Sequence, residues 1–234
     1  MGKLDASIAI VTGAGRGIGK AIAVALAAEG AHVVLAARTS AELENVAEEI
    51  RNSGNNASTK PTDITSENEI ENLVAHTLQR YQRIDILVNN AGIGVFKPVT
   101  DLSSAEFDAM WNVNVRGTFL MTKAVLPSMI KSDSGAIINI ASLAGKNTIK
   151  GGAGYCATKW ALRGFAGSLM LEVRDHNIRV VTIFPGSVAT NFSTMNKKGP
   201  AITQPEDVAS AVVFAVTAPQ RVMFSEIDVR PTRP

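Results

Sequence analysis

A tyrosine and a lysine, Tyr155 and Lys159, stand four residues apart in the stretch Tyr-Cys-Ala-Thr-Lys. In a helix this spacing places both side chains on one face, one turn from each other. At ~4 Å and an effective dielectric constant near 20, an ammonium group favours a phenolate by up to ~4 kcal/mol and lowers the phenol pKa from ~10 towards neutrality. The pair therefore predicts a group that gives a proton to a developing alkoxide, or takes one from an alcohol. An ordinary helix face is the alternative, because this spacing often arises by chance.

A glycine-rich turn follows the first predicted strand, Ile8 to Val11, and opens a helix over residues 20–29. Glycines let backbone N–H groups approach a pyrophosphate closely, and a helix N-terminus offers the positive end of its dipole. The spacing is Gly-x-x-x-Gly-x-Gly instead of the six-residue dinucleotide fingerprint, so a tight turn without a ligand is the alternative. The turn reads Gly13-Ala14-Gly15-Arg16-Gly17-Ile18-Gly19.

The end of the second predicted strand, Ala31 to Ala36, indicates which dinucleotide is bound. An Asp or Glu at this point usually meets a free ribose 2′-hydroxyl, whereas this chain continues Ala37-Arg38-Thr39. Arg38 is placed to pair with a 2′-phosphate, helped by Arg16. The sequence therefore favours NADP(H) over NAD(H). The alternative is that Arg38 is a solvated residue at the start of the next helix.

Strands alternate with helices along the whole chain, with further strands predicted over residues 57–62, 84–88, 135–141, 178–184 and 222–229. This order predicts an α/β fold: one domain over residues 1–234, with a Rossmann-type, doubly wound, seven-stranded parallel sheet and helices on both faces. Ligands bind such sheets at the carboxyl ends of the strands. The polar stretch 191–204 is predicted to be a mobile lid over a substrate pocket. At strand ends stand Asp63-Ile64, Asn89-Asn90-Ala91-Gly92, Ser142 and Pro185-Gly186-Ser187-Val188-Ala189-Thr190.

The predicted helix over residues 101–129 carries Asn114, an amide that is costly to bury without partners. It is either a functional polar group or a buried amide satisfied by its neighbours. Pro127 is expected to bend or shorten this helix.

The composition excludes several classes of function. The net charge is +2, and the 23 Lys and Arg residues are scattered among 21 Asp and Glu, so nucleic acid is not an expected partner. No signal peptide is evident, and the longest apolar helix run, Ala21 to Ala28, is too short to span a membrane, so we expect a cytoplasmic protein. One cysteine, Cys156, and three scattered histidines predict no metal site.

Taken together, these motifs resemble the short-chain dehydrogenase/reductase family, in its compact single-domain branch that prefers NADP(H). The resemblance covers nearly all 234 residues. It implies a catalytic set of Asn114, Ser142, Tyr155 and Lys159. The residues implied to contact the cofactor are Gly13, Gly15, Arg16, Gly17, Ile18, Gly19, Arg38, Thr39, Asp63, Ile64, Asn90, Ala91, Gly92, Tyr155, Lys159, Pro185, Gly186, Val188 and Thr190.

The resemblance also implies a mechanism, in which the pro-S hydride of NADPH goes to a carbonyl carbon while Tyr155 donates the proton. Ser142 would hydrogen-bond the carbonyl oxygen, and Lys159 would hold the nicotinamide ribose and lower the pKa of Tyr155. Asn114 would hold a water that links Lys159 to solvent. A homodimer or homotetramer is implied, through helices over residues 104–130 and 155–176. The side chains that could face a partner are Leu162, Phe165, Leu169 and Leu171.

Three functions remain open from the sequence. The first is an NADPH-dependent reductase of a free small-molecule carbonyl. The second is a 3-oxoacyl-thioester reductase of fatty-acid metabolism that works on acyl carrier protein, and the third is a non-catalytic dinucleotide-binding sensor. Family members that act on carrier-bound chains usually have a glycine-bearing segment after the last strand. The corresponding stretch here is Ser225 to Pro231, without glycine, which favours the first function.

Overall fold

The computed structural model describes residues 2–190, 192 and 202–232. Within these residues, seven parallel strands form a single sheet in the order β3-β2-β1-β4-β5-β6-β7. The strands are β1 (Ile8–Thr12), β2 (His32–Ala37), β3 (Ala57–Pro61), β4 (Ile86–Asn89), β5 (Gly135–Ile140), β6 (Ile178–Pro185) and β7 (Glu226–Val229). The α-helices are α1 (Gly17–Ala28), α2 (Ser40–Asn52), α3 (Glu67–Tyr81), α4 (Ser104–Trp111), α5 (Thr118–Lys131), α6 (Ala153–Val173) and α7 (Pro205–Val216).

The central strands β1, β4 and β5 are buried along their whole length, as expected for apolar runs covered on both faces. One core cluster packs α1, α2 and α7 on one face of the sheet, with Leu26 and Leu43 fully buried. A second packs α3, α5 and α6 on the other face, around Leu73 and Met121. The predicted seven-stranded parallel sheet with helices on both faces is therefore confirmed.

The strand order reverses between β1 and β4, because β1 pairs with β2 on one side and with β4 on the other. Such a reversal leaves a crevice at the carboxyl ends of the strands. Asn90 joins the two sides: its Nδ2 donates to the backbone oxygens of Thr12 at 2.9 Å and Gly13 at 3.2 Å. The hydroxyl of Thr12 donates in turn to the Val88 oxygen. Hydrogen bonds therefore connect the segments that follow β1 and β4, on the two sides of the crevice.

The middle helix differs from its prediction. Residues 112–117 form a π-helical segment between α4 and α5, a widened turn that is frequent at functional sites. Pro127 does not end α5, which continues to Lys131. Pro127 has no backbone N–H to donate to the Lys123 carbonyl. Both residues are exposed, so water can donate to that carbonyl instead. The last strand begins at Glu226, later than expected, and Val222 instead donates to the Pro219 oxygen within a turn.

A cluster at the amino ends of β2 and β3 predicts a pH dependence of stability. His32 Nε2 lies 2.6 Å from the Tyr81 hydroxyl and 3.1 Å from Ser58 Oγ, and its pKa is lowered by burial and by Arg80. Below pH 6.5 the unfolded chain binds a proton that the folded chain resists, so stability falls as the pH falls. We therefore expect the free energy of unfolding of His32→Gln, measured in urea, to differ less between pH 5 and pH 7.5 than that of the parent chain. A wild-type slope in His32→Gln would contradict it, and His76→Gln is the control.

Candidate active site

Three cavities lie at the carboxyl edge of the sheet, with volumes of about 460, 440 and 300 Å³, and Asn90 lines all three. The first is lined by Ser142, Tyr155 and Lys159, and the second by Arg16 and Arg38. Every residue that the sequence predicts to contact the cofactor lines at least one of them. The fold thus brings the predicted set together along one crevice.

The glycine turn is shaped by its packing against the segment after β4. Gly13 has a φ of +63°, and a Cβ at Gly19 would lie 2.2 Å from the Gly13 oxygen and 2.5 Å from Asn90 Nδ2. Gly13 is therefore required by its backbone conformation and Gly19 by internal packing, without reference to a ligand. A Cβ at Gly17 would meet only Thr190, with Cγ2 at 3.4 Å, and Gly17 has a φ of +56°. The start of α1 consequently keeps its backbone close to the cavity that Thr190 lines, which suits a bound phosphate.

The cavity of about 440 Å³ combines two arginines with a carboxylate. Arg38 is exposed, and within the described residues no ion pair is recorded for it, whereas Arg16 Nη1 lies 3.6 Å from Glu42 Oε1. Glu42 stands in the first turn of α2, and the sequence reasoning missed it because nothing in the pattern shows that this turn reaches the glycine loop. Asp63 accepts hydrogen bonds from the backbone and hydroxyl of Thr65, which fixes the loop after β3.

Tyr155 and Lys159 lie in the first two turns of α6 and are 6 % and 4 % exposed. The Lys159 ammonium donates to the Ile140 oxygen at 3.1 Å and lies 5.6 Å from the centre of the Tyr155 ring. Ser142 follows β5, and its Oγ accepts from the Ala144 backbone at 3.1 Å. The three predicted side chains therefore share the cavity of about 460 Å³.

The predicted lowering of the Tyr155 pKa is wrong for this arrangement. Burial raises the pKa of Tyr155 to about 12, against a smaller lowering by a hydrogen bond with Ser142. Burial also lowers the pKa of Lys159 to about 8. The sequence argument assumed a half-solvated pair at close range, whereas both groups are buried and the ammonium points to Ile140.

Asn114 is a buried amide whose hydrogen-bonding groups are used. Its Oδ1 accepts from Ile93 N at 2.8 Å, and its Nδ2 donates to the Ile93 oxygen and to Thr158 Oγ1. It lines none of the three cavities. A water held by this side chain would have to use the second lone pair of Oδ1, so the satisfied amide is the simpler interpretation. The π-helical segment points Asn114 at the loop after β4.

Aromatic rings surround Tyr155 in a way that the sequence did not indicate. Phe96 and Phe192 lie 5.1 and 5.9 Å from it between ring centres. Both stand outside helices and strands, where no periodicity marks them. Of the predicted lid, Phe192 and residues 202–204 are described, and Thr203 pairs with Val188; residues 191 and 193–201 lie outside the described residues.

Within the described ranges, no three His, Cys, Asp or Glu side chains come together as a possible metal site. The thiol of Cys156 is 3.9 Å from the Asn147 oxygen and is buried. No helix among the described residues is long and apolar enough to cross a membrane.

Comparison with known proteins decides the family. The profile of the short chain dehydrogenase family matches residues 7–200. The chain belongs to the short-chain dehydrogenase/reductase family. An uncharacterized oxidoreductase of Staphylococcus aureus is 40 % identical over 97 % of this chain and 98 % of its own. Membership makes this chain an oxidoreductase and indicates that it binds a nicotinamide dinucleotide.

Two solved structures are similar to this chain over nearly its whole length. A metagenomic short-chain oxidoreductase in complex with NADP is 39 % identical, with a TM-score of 0.88 over 98 % of this chain and 99 % of that one. A 3-ketoacyl-ACP reductase from Sinorhizobium meliloti is 34 % identical, with a TM-score of 0.87 over 95 % of this chain and 96 % of that one. The first structure is relevant to the choice of cofactor, and the second is relevant to the choice of substrate.

Proposed function

We propose that this protein is an NADPH-dependent reductase that interconverts a carbonyl and an alcohol on a free small molecule. One observation carries the proposal. Ser142, Tyr155 and Lys159 line a single cavity, and Asn90 connects that cavity with the one that holds Arg16 and Arg38. A dinucleotide lying along the crevice would therefore place its 2′-phosphate near the arginines and its nicotinamide ring near the tyrosine.

The dinucleotide supplies the hydride, and the side chains supply the proton and the orientation. With a pKa of about 12, the Tyr155 phenol keeps its proton at neutral pH, as a donor to an alkoxide oxygen must. Ser142 shares the wall of the cavity and would hydrogen-bond the same oxygen, which stabilises the charge that develops there. At neutral pH Lys159, whose pKa burial lowers to about 8, is mostly charged and would donate hydrogen bonds to ribose hydroxyls.

The preference for NADPH is tested at Arg38. We expect Arg38→Ala to raise the dissociation constant for NADPH about 10- to 100-fold, because a charge-assisted hydrogen bond contributes roughly 1.5–3 kcal/mol. NADH, which lacks the phosphate, should lose less than about threefold. Fluorescence titration with both dinucleotides measures these dissociation constants. Arg174→Ala is the control, because Arg174 precedes the amino end of β6, away from the crevice. Equal losses for NADPH and NADH would contradict the assignment, which the NADP complex of the similar structure supports.

The substrate class is tested with a panel of ketones and aldehydes set against acetoacetyl thioesters, with NADPH consumption as the readout. The charged β7 segment, in place of a glycine-bearing one, supports free carbonyls. The similarity to a 3-ketoacyl-ACP reductase supports the alternative, a thioester substrate. Turnover confined to thioesters would establish that alternative, and NADPH binding without any turnover would favour the sensor.

We also infer that α4, α5 and α6 form an interface between copies of this chain, giving a dimer or tetramer. Trp111, Phe119 and Leu171 are 41 %, 45 % and 61 % exposed. Leu162 and Leu169, which the sequence offered as partner-facing, are instead buried within the protomer. Sedimentation of Leu171→Glu against the parent chain tests this, and an unchanged oligomeric state would contradict it.

A further inference from the structure

The loop that carries Ser142 is a single short turn, with Ala144 buried beside Tyr155. After Ser142 the chain makes one 3₁₀ turn, Leu143–Gly145, held by bonds from Gly145 N to the Ser142 oxygen and from Lys146 N to the Leu143 oxygen. Such short turns have poor hydrogen-bond geometry. The orientation of Ser142 therefore depends on the bond that its Oγ accepts from Ala144 N and on what anchors the far end of the turn.

Lys146 is that anchor. Its Nζ lies 2.7 Å from Asp228 Oδ1 and 2.9 Å from Glu226 Oε2, both on β7, and 4.2 Å from the ring centre of Phe184. The side chain is 21 % exposed, so the two ion pairs are partly shielded from solvent. A lysine with two carboxylates and an aromatic face has a more restricted position than one in a single surface pair.

The same strand supports the opposite wall of the cavity. Gly186 N donates to the Val229 oxygen at 2.8 Å, and a Cβ at Gly186 would lie 3.2 Å from Leu143 Cδ1. β7 therefore holds two walls of the Ser142 cavity, one through backbone pairing and the other through the charge of Lys146.

We propose that Lys146 is a positioning residue that fixes Ser142 for the reaction by binding Glu226 and Asp228. This rests on the proposed function, since it assigns a purpose to the orientation of Ser142. Lys146 does not touch the reacting atoms, and its effect passes through the turn Leu143–Gly145.

Arg163 provides a matched control. It lies in α6, outside the loop, yet its Nε is 2.6 Å from Glu226 Oε1. We expect Lys146→Met to lower kcat about tenfold, because small displacements in an active site are costly, while the dissociation constant for NADPH stays within about twofold. Lys146→Arg should restore most of kcat. Arg163→Met removes an ion pair from the same carboxylate and should leave kcat within about twofold. Unchanged kcat in Lys146→Met, or an equal fall in Arg163→Met, would overturn the proposal.

Amide hydrogen exchange separates this proposal from the proposed function. In Lys146→Met the amides of residues 144–147 should exchange about tenfold faster than in the parent chain, and in Arg163→Met they should not. Absence of NADPH turnover in the parent chain would refute the proposed function, yet the exchange comparison would still decide whether Lys146 holds the loop. Unchanged exchange in Lys146→Met would refute the anchor even in an active enzyme.

Discussion

Replacing Tyr155 by phenylalanine is expected to lower kcat for carbonyl reduction about a thousandfold while the dissociation constant for NADPH stays within about twofold. The variant loses one oxygen, and the ring keeps its contacts with Phe96 and Phe192. The groups proposed to bind the pyrophosphate and adenosine lie in the other cavities. Steady-state NADPH consumption measures the first effect, and fluorescence titration measures the second.

Tyr81→Phe is the matched control, because Tyr81 is the other tyrosine of the chain and lies beside His32 at the amino ends of the strands. It should lose about 1 kcal/mol of stability and no activity. A Tyr155→Phe variant that turns over like the parent chain would refute the proton-donor role. A variant that no longer binds NADPH would show that the hydroxyl acts mainly in binding.

Lys159→Met is expected to abolish activity and yet stabilise the protein by about 2 kcal/mol at pH 7, a rise of roughly 4–8 °C in Tm. Lowering the pKa from 10.5 to about 8 means that the folded protein loses about 3 kcal/mol by carrying this buried charge. Methionine has a similar length and no charge, and leaves the Ile140 oxygen without its donor at a cost of about 1 kcal/mol. Thermal unfolding without dinucleotide isolates the effect.

The pH dependence of that gain has a definite sign. Below pH 8 Lys159 is charged in both states, so the destabilisation is fully present. Between pH 8 and 10.5 the folded protein has lost the proton and the unfolded chain has kept it, so the parent chain gains stability and the advantage of Lys159→Met shrinks. A constant difference from pH 7 to pH 9.5 would contradict the lowered pKa. Lys123→Met, at an exposed ion pair, should change stability by less than about 0.5 kcal/mol at any of these values.

The sequence was sufficient for features that repeat locally. Apolar runs and amphipathic helices predicted the sheet. Because ligands bind at the carboxyl ends of parallel strands, the residues at those ends were predicted to share one site. Tyr155 and Lys159 were found because their spacing sets their relation on a single helix. In each case neighbours in sequence decide the outcome.

Features that depend on distant neighbours were missed or reversed. The pKa of Tyr155 follows from its burial, which the helix spacing does not contain. The Lys146 anchor joins residues 82 apart, and its partner strand had been noted only for lacking glycine. The π-helical segment at residues 112–117 has no composition that distinguishes it from an ordinary helix. Glu42 and Phe96 line the cavities from elements whose packing is set by the rest of the fold.

The bonds from Asn90 to Thr12 and Gly13 span 78 and 77 residues. Closing so long a loop costs conformational entropy before any contact compensates, so we expect these bonds to form after the local helices and turns. A chain emerging from the ribosome exposes its glycine turn long before β4 exists to shape it. We therefore expect a dinucleotide to stabilise the protein by mass action only once β1 and β4 have paired.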